Sequence, residues 1–428
     1  MSRTDDVEPL NPKVGKVRWI VVALLFAATA INYVDRQMVG LLKEPLTKEF
    51  GWDEVSYGNV VVYFQFAYAV GYIFFGRIVD RFGARIGYAS AFFIWTIAHM
   101  LHGAVRSMFT FALVRLMLGV GESGNFPAGI KAVTEWFPKK ERAFATGLFN
   151  AGANVGAIIT PLMLPFLTAA YGWRGAFVVS GAASLIWLVA WLVLYRRPRE
   201  SKLISEQELA YIERDAADPA GKTPWLPLLR MKETWAFAVG KFMTDPVWWM
   251  FLFWLPDFLH KRHGLDLKHF GPPLAVIYII SDLGSIGGGW LSSHLIHKGW
   301  SINRARKTTM LICAFAVMPI FAAQYVDSLW GAVAIISLAT AAHQAWSANL
   351  YTLPSDMFPR KAVGSVIGIG GTAGAIGGII FSLYVAQILE RLGSYTLIFI
   401  VAGSVYLVAL LLIHLLVPNI DEARPAEG

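Results

Sequence analysis

Two ionised side chains, Asp35 and Arg36, stand in the middle of the apolar run FAATAINYVDRQMVGLL. Two more, Arg115 and Glu122, interrupt a second such run. An ionised group at the centre of a membrane helix costs roughly 3 kcal/mol on insertion scales, so such residues mark a pathway or neutralise one another. Asn32, Asp35 and Arg36 fall at helical spacing on one side of their segment and are expected to face one cavity. Arg115 and Glu122 are two turns apart on one face, separated along the axis by roughly 10 Å. A guanidinium is a planar, two-pronged donor that keeps its charge when partly desolvated, so Arg36 is the candidate partner for a substrate carboxylate. A plain ion pair with Asp35 or Glu122 is the other reading of the same residue. Glu122 is the candidate proton carrier. Burial favours the protonated acid and a neighbouring arginine the ionised one, so a ligand arriving at or leaving that arginine changes the proton occupancy.

The elements that must hold these groups are membrane helices. The 428 residues are 56% hydrophobic and only 15% charged, against about 25% charged in soluble domains. Apolar runs of roughly 20 residues recur along the chain, each long enough to cross about 30 Å of hydrocarbon as helix, and strand alternation is absent. About twelve such runs can be counted, among them 57–79, 86–105, 108–132, 142–167 and 172–195. The expected organisation is a tail 1–18, a six-helix bundle 19–195, a polar linker 196–232, a second six-helix bundle 233–417 and a tail 418–428. Within the linker, ISEQEL sets Ser205 and Glu208 in capping-box positions and predicts a short surface helix.

Lys13, Lys16 and Arg18 precede the first run, and basic residues recur in alternate loops, at Arg77, Arg81 and Arg85, at Lys139, Lys140 and Arg142, and at Arg304, Arg306 and Lys307. The positive-inside rule therefore puts both tails in the cytoplasm. The net charge of +8 reports this topology, so no nucleic acid is expected as a partner. The first run is too long and too charged to be a cleavable signal. The single cysteine, Cys313, excludes an intramolecular disulfide. No HExxH or comparable cluster is present, so neither a metal nor a cofactor is expected.

An internal repeat supports the division. EWFPKKERAFATGLFNAGANVGAII, from Glu135, lies without a gap on DMFPRKAVGSVIGIGGTAGAIGGII, from Asp356, with Gly147 on Gly368 and Gly156 on Gly377. Two halves in the same orientation imply a pseudo-two-fold axis along the membrane normal and a binding site between them at mid-membrane, an arrangement for which the major facilitator transporters are the general example.

GRIVDRFGAR, from Gly76 to Arg85, resembles the loop signature of that superfamily, with Ala84 where an arginine is common. NYVDRQ, RLMLGVGESGNFPAGIKAVTEWFPKKERAFATGLFNAGANVGA, KFMTDPVWWMFLFWLPDFL and AAHQAWSANLYTLPSDMFPRKAVGSVIGIGG resemble the anion:cation symporter family and, within it, the bacterial hexuronate carriers. The resemblance implies a proton-coupled importer of a hexuronate such as galacturonate or glucuronate. It would lie in the bacterial inner membrane and work by alternating access as a monomer. An aldonate, another small organic anion or passive facilitation are the alternatives. The resemblance also implies a cytoplasmic gate at Asp80, Arg81 and Arg85. By fold analogy, Asp35 and Arg115 are expected to neutralise each other, leaving Arg36 and Glu122 available and making Asp35 a second proton site coupled through Arg115.

Polar side chains elsewhere are candidates for the sugar-hydroxyl side of the pocket: Tyr33, Tyr68, Asn150 and Asn154, and the cluster His343, Gln344, Trp346, Ser347 and Asn349. Interhelical hydrogen bonding is their other reading. Lys241, Asp245 and Asp282 are further charges inside apolar runs to which no coupling role is given. A membrane enzyme would need a nucleophile and base or a metal cluster, and a sensor would need a signalling domain; the sequence offers neither.

Overall fold

The computed structural model describes residues 15–214, 225–358 and 360–420, which are helical almost throughout and contain no strand. Helix α1 (Val17–Leu41) leads through α2 (Lys43–Phe50) into α3 (Glu54–Leu101); α4 (Met108–Glu122), α5 (Asn125–Trp136) and the long α6 (Lys139–Leu194) follow. Beyond the short α7 (Glu206–Glu213) and α8 (Trp225–Leu229) come α9 (Lys232–His263), α10 (Gly271–His297), α11 (Ile302–Val317), α12 (Leu329–Leu350), α13 (Leu353–Met357), α14 (Arg360–Leu392) and α15 (Thr396–Leu416). Among the described residues, seven segments are long and apolar enough to cross a membrane by themselves. The surface is correspondingly inside-out, with Phe166, Ile186 and Ile286 70–77% exposed, as lipid-facing side chains are.

The runs expected at 57–79 and 86–105 form the two helical limbs of α3, which folds back on itself between them. Gly83 sits at φ 79°, ψ 168°, a conformation open mainly to glycine. In a straight helix Phe64 and Trp95 would lie about 46 Å apart. Both instead touch the last turn of α4, where a Cβ at Gly119 would be 2.4 Å from the Phe64 carbonyl and one at Gly121 would be 2.5 Å from the Trp95 amide. Helix α6 does the same at Gly172 (φ 67°, ψ 172°). Its Gly152 abuts the Phe26 carbonyl of α1, while Trp187, from beyond the bend, donates to the Leu24 carbonyl at 2.7 Å. The run expected at 108–132 is interrupted at Ser123 and Gly124, immediately after Glu122.

The repeat has a structural counterpart. Helices α6 and α14 begin at matching positions of the two copies, Lys139 and Arg360. The paired glycines play the same part: a Cβ at Gly156 would be 2.3 Å from the Ala30 carbonyl of α1, and one at Gly377 would be 2.1 Å from the Phe242 carbonyl of α9. Helix α9 therefore stands to α14 as α1 stands to α6. Helices α1 and α3–α6 pack as one group and α9–α12 with α14 and α15 as another, meeting through α3 and α14, α6 and α10, and α1 and α9.

The linker helix is anchored differently from expectation. Ser205 caps it by accepting from the Glu208 amide at 3.2 Å. Glu208, however, caps α1 instead of its own helix, accepting from the amides of Val17 at 3.2 Å and Arg18 at 3.1 Å and from the Arg18 guanidinium at 3.1 Å. A carboxylate there satisfies exposed amides and meets the positive end of the α1 dipole.

Because α4 touches both limbs of α3 through bare backbone, Gly119→Val should be among the most damaging single changes. Overpacking commonly costs about 1–3 kcal/mol, and backbone neighbours cannot move aside as side chains can. The expected outcome is a large fall in thermal stability and in monodisperse yield from detergent, whereas Gly76→Ala, whose Cβ meets open space, should change neither.

Candidate functional site

Arg36 projects from α1 toward α4 and is 4% exposed. Its Nε and Nη2 both lie 2.9 Å from Oε2 of Glu122, and Nη2 also donates to Asn32 Oδ1 at 3.0 Å. Both nitrogens act on one carboxylate oxygen, and Oε1 of Glu122, also buried, has no hydrogen-bond partner among the described residues. Four rings surround the guanidinium, with centroids at 4.8 Å (Tyr33), 4.9 Å (Tyr68) and 5.3 Å (Phe64 and Trp249). Such contacts are worth about 0.5–2 kcal/mol each, the more so where water is scarce. Trp249 comes from α9, so the cage closes across the two helix groups.

Asp35 and Arg115 do not pair. The Asp35 carboxylate lies 3.3 Å from His99 Nε2, on the second limb of α3, and neither of its oxygens has a hydrogen-bond partner among the described residues. His99 Nε2 is also 2.8 Å from Ser180 Oγ on α6. Arg115 turns instead toward the first limb of α3, its Nε 3.5 Å from the Val60 carbonyl and its Cζ 4.5 Å from the Phe64 ring centroid. The reason is rotational: successive helical residues differ by about 100°, so Arg36 facing Glu122 aims Asp35 at another neighbour. Arg36 and Glu122, expected to stay available, hold each other.

The polar cluster of α12 splits. His343 shares a 2.6 Å hydrogen bond with the Tyr406 hydroxyl of α15 and stacks on Trp248. Trp346 donates to Thr244 of α9 at 3.2 Å, and Asn349 donates to the Gly288 carbonyl of α10 at 3.0 Å. These three fasten helices together. Gln344 and Ser347 are half-buried. Asn154 of α6 meets Asp282 of α10. Lys241 lies 2.6 Å from Asp245 and 2.6 Å from the Tyr351 hydroxyl. Of the expected gate, Arg85 donates to the Leu192 carbonyl at 2.6 Å within its own group and Arg81 is exposed; the Asp80 side chain lies outside the described residues.

One feature went unread in the sequence. Lys43 of α2 lies 2.6 Å from Glu54 of α3 and 2.8 Å from Asp257 of α9. Lys261 of α9 pairs with Glu54 and lies 3.1 Å from Asp257. The four charges form a ring with two bonds crossing between the helix groups. Tyr395 donates to Asp257 at 2.5 Å, and Tyr57 crosses to the Phe253 carbonyl at 2.7 Å. The ring lies toward the end of the molecule opposite the start of α1. His99 was also unread, although a histidine inside an apolar run is a signal of the same kind as Asp35.

The family model described as Major Facilitator Superfamily matches residues 25–382. The hexuronate transporter of Escherichia coli (strain K12) is 31% identical over 393 residues, 89% of this chain and 90% of that protein. The D-galactonate transporter of Escherichia coli O6:H1 is 29% identical over 401 residues, 90% of this chain and 92% of that protein. The crystal structure of a D-xylose-proton symporter superposes with a TM-score of 0.76 at 15% identity, over 95% of this chain and 99% of that one.

The geometry makes a pairing prediction that differs from the one the sequence suggests. In thermal unfolding, Asp35→Asn and His99→Gln should be coupled by about 0.5–3 kcal/mol, while Asp35→Asn and Arg115→Gln should add within about 0.5 kcal/mol. Coupling only in the second cycle would reverse the assignment.

Proposed function

The chain belongs to the Major Facilitator Superfamily and is a multi-pass membrane transporter, and from that premise we propose that it is a proton-coupled importer of a sugar-acid anion, foremost a hexuronate. The observation that carries the reading is the Arg36–Glu122 pair, in which one oxygen of the carboxylate occupies the guanidinium and the other is unpartnered. A proton added to Oε1 neutralises Glu122 and weakens its hold on Arg36. The guanidinium then needs an anion, because an unpaired buried charge is costly, and a substrate carboxylate supplies it. Proton and anion thus enter together, with the charge inside the site unchanged. The phenols of Tyr33 and Tyr68, with Asn154 and Gln344, offer donors and acceptors for sugar hydroxyls, and Trp249 a flat apolar wall.

In this reading the chain crosses a bacterial inner membrane twelve times, six in 19–195 and six in 233–417, as a monomer with both tails cytoplasmic. The ring of Lys43, Glu54, Asp257 and Lys261 is then the outer gate, closed, and the turn at Gly83 with Asp80, Arg81 and Arg85 belongs to the cytoplasmic one. Asp35 with His99 forms a second proton-holding site. The similarity to hexuronate and D-galactonate transporters over most of the chain supports a sugar acid as cargo. A carrier of aldonates would share every feature of the arginine site, so the hydroxyl-facing residues decide between the two.

Three measurements on proteoliposomes test this. Galacturonate or glucuronate should drive proton entry, and glucose should not. Glu122→Gln, fixed in the neutral form, should lose accumulation under a proton gradient while retaining counterflow exchange; accumulation at the wild-type level would remove Glu122 from the coupling. Arg36→Lys should weaken uronate binding by about one to two decades, the equivalent of roughly 1.5–3 kcal/mol for a charge-assisted contact, because an ammonium cannot reproduce the planar fork.

A further inference from the structure

Buried polar atoms without a hydrogen-bond partner gather where α1, the second limb of α3 and α4 meet. Among the described residues, the acceptors there are both carboxylate oxygens of Asp35, Nδ1 of His99, Nε2 of His102 and Oε1 of Glu122. The donors are the indole nitrogen of Trp95, the Thr96 hydroxyl and both terminal nitrogens of Arg115. All seven residues are at most 1% exposed. Thr29, Thr160 and Thr244, also buried in helices, return their hydroxyls to the carbonyl one turn back; Thr96 does not.

The two imidazoles are each held by one nitrogen. Ser180 gives its own proton to the Ala176 carbonyl at 2.7 Å, so the hydrogen in its 2.8 Å bond to His99 sits on Nε2, and Nδ1 is a bare acceptor. His102 donates from Nδ1 to the Ala98 carbonyl at 2.9 Å, which leaves Nε2 bare. The helix register brings these atoms toward Glu122. Gly121 of α4 abuts the Trp95 backbone, and Phe111 meets His102 with ring centroids 5.1 Å apart, so the limb and α4 run antiparallel here. At about 100° per residue, Trp95, Thr96, His99 and His102 share roughly a third of the limb's circumference, and His99 stands about 6 Å along the axis from Trp95. Asp35 lies 3.3 Å from His99, and Glu122 follows Gly121 directly.

We propose that this seam binds a short chain of water molecules that passes protons between Asp35 and Glu122. A buried polar group left unpaired costs about 1–3 kcal/mol, and here donors and acceptors stand unpaired together. An anion would satisfy only the donors and a cation only the acceptors; water satisfies both, and a buried water makes about three such bonds. One proton leaves the Asp35 carboxyl for the first water, each water hands one on, and Oε1 of Glu122 receives the last. Asp35 ends ionised and Glu122 neutral, with the waters and imidazoles unchanged. Arg115 lies two turns from Glu122 toward the start of α4, and its fixed charge repels a hydronium at that end of the seam, as an arginine does in a water pore. All three helices belong to one helix group, so the proton's route stays intact while the groups part for the cargo. The inference rests on the proton-coupled reading above and gives the proton its path.

Hydroxyl-radical footprinting of the purified full-length protein detects the water, because radicals made from bound water oxidise the side chains beside it. Trp95 should be oxidised on the millisecond scale. Trp191 and Trp346, equally buried but with their indole nitrogens bonded to the Arg85 carbonyl and to Thr244, should stay silent. Thr96→Val keeps the volume and removes the hydroxyl without altering Asp35, Arg36 or Glu122. In proteoliposomes it should slow proton-driven uptake about tenfold and leave counterflow exchange at the wild-type rate, and Thr96→Ser should restore uptake. Trp95 as silent as the two control tryptophans would overturn the proposal, and so would proton-driven uptake by Thr96→Val at the wild-type rate. Wild-type protein that carries uronate without moving protons would overturn the coupling reading and the proton route with it, whereas an oxidised Trp95 would leave the water site standing.

Discussion

The ion pair between Arg36 and Glu122 joins α1 to α4 with both charges buried, and much of the remaining architecture answers to it. Deleting one member of a buried pair is commonly costlier than replacing both, so each charge keeps the other and their helices must approach closely. The approach is secured by glycines: α4 lies on both limbs of α3 through Gly119 and Gly121, and α6 lies on α1 through Gly152 and Gly156. Lys241 and Asp245 repeat the arrangement one turn apart on a single helix. In the proposed reading an anion reaches Arg36 only as Glu122 takes up a proton and gives the guanidinium up, which ties binding to protonation without a separate linkage device.

The sequence made the membrane class legible because composition and run length are sums over many residues and survive local detail. The repeat was legible for a similar reason, since Gly156 and Gly377 match in register and make the same contact. Arg36 and Glu122 could be found because charges in apolar runs stand out. What could not be read was direction. Asp35 and Arg36 are adjacent, and only the rotation of α1 decides that one meets His99 and the other Glu122. The α12 cluster failed in the same way: polarity marked His343, Trp346 and Asn349, but each points at a neighbouring helix. The reversals themselves were legible, since Gly83 falls between the runs expected at 57–79 and 86–105 and Gly172 opens the run expected at 172–195. The lysine–carboxylate ring escaped notice because its members lie far apart in sequence, at run ends where charge is ordinary.

That ring carries a consequence for the energetics of a cell with a polarised membrane. Lys43 and Lys261 against Glu54 and Asp257 sum to zero, and a unit charge moved across the full field exchanges roughly 2.3 kcal/mol per 100 mV. In the reading that makes it the outer gate, unlocking the ring separates partners but carries no net charge through the field, so voltage neither holds it shut nor pulls it open. In the proposed reading one proton travels with one carboxylate, so that pair is neutral as well, and the membrane potential neither drives nor opposes its passage.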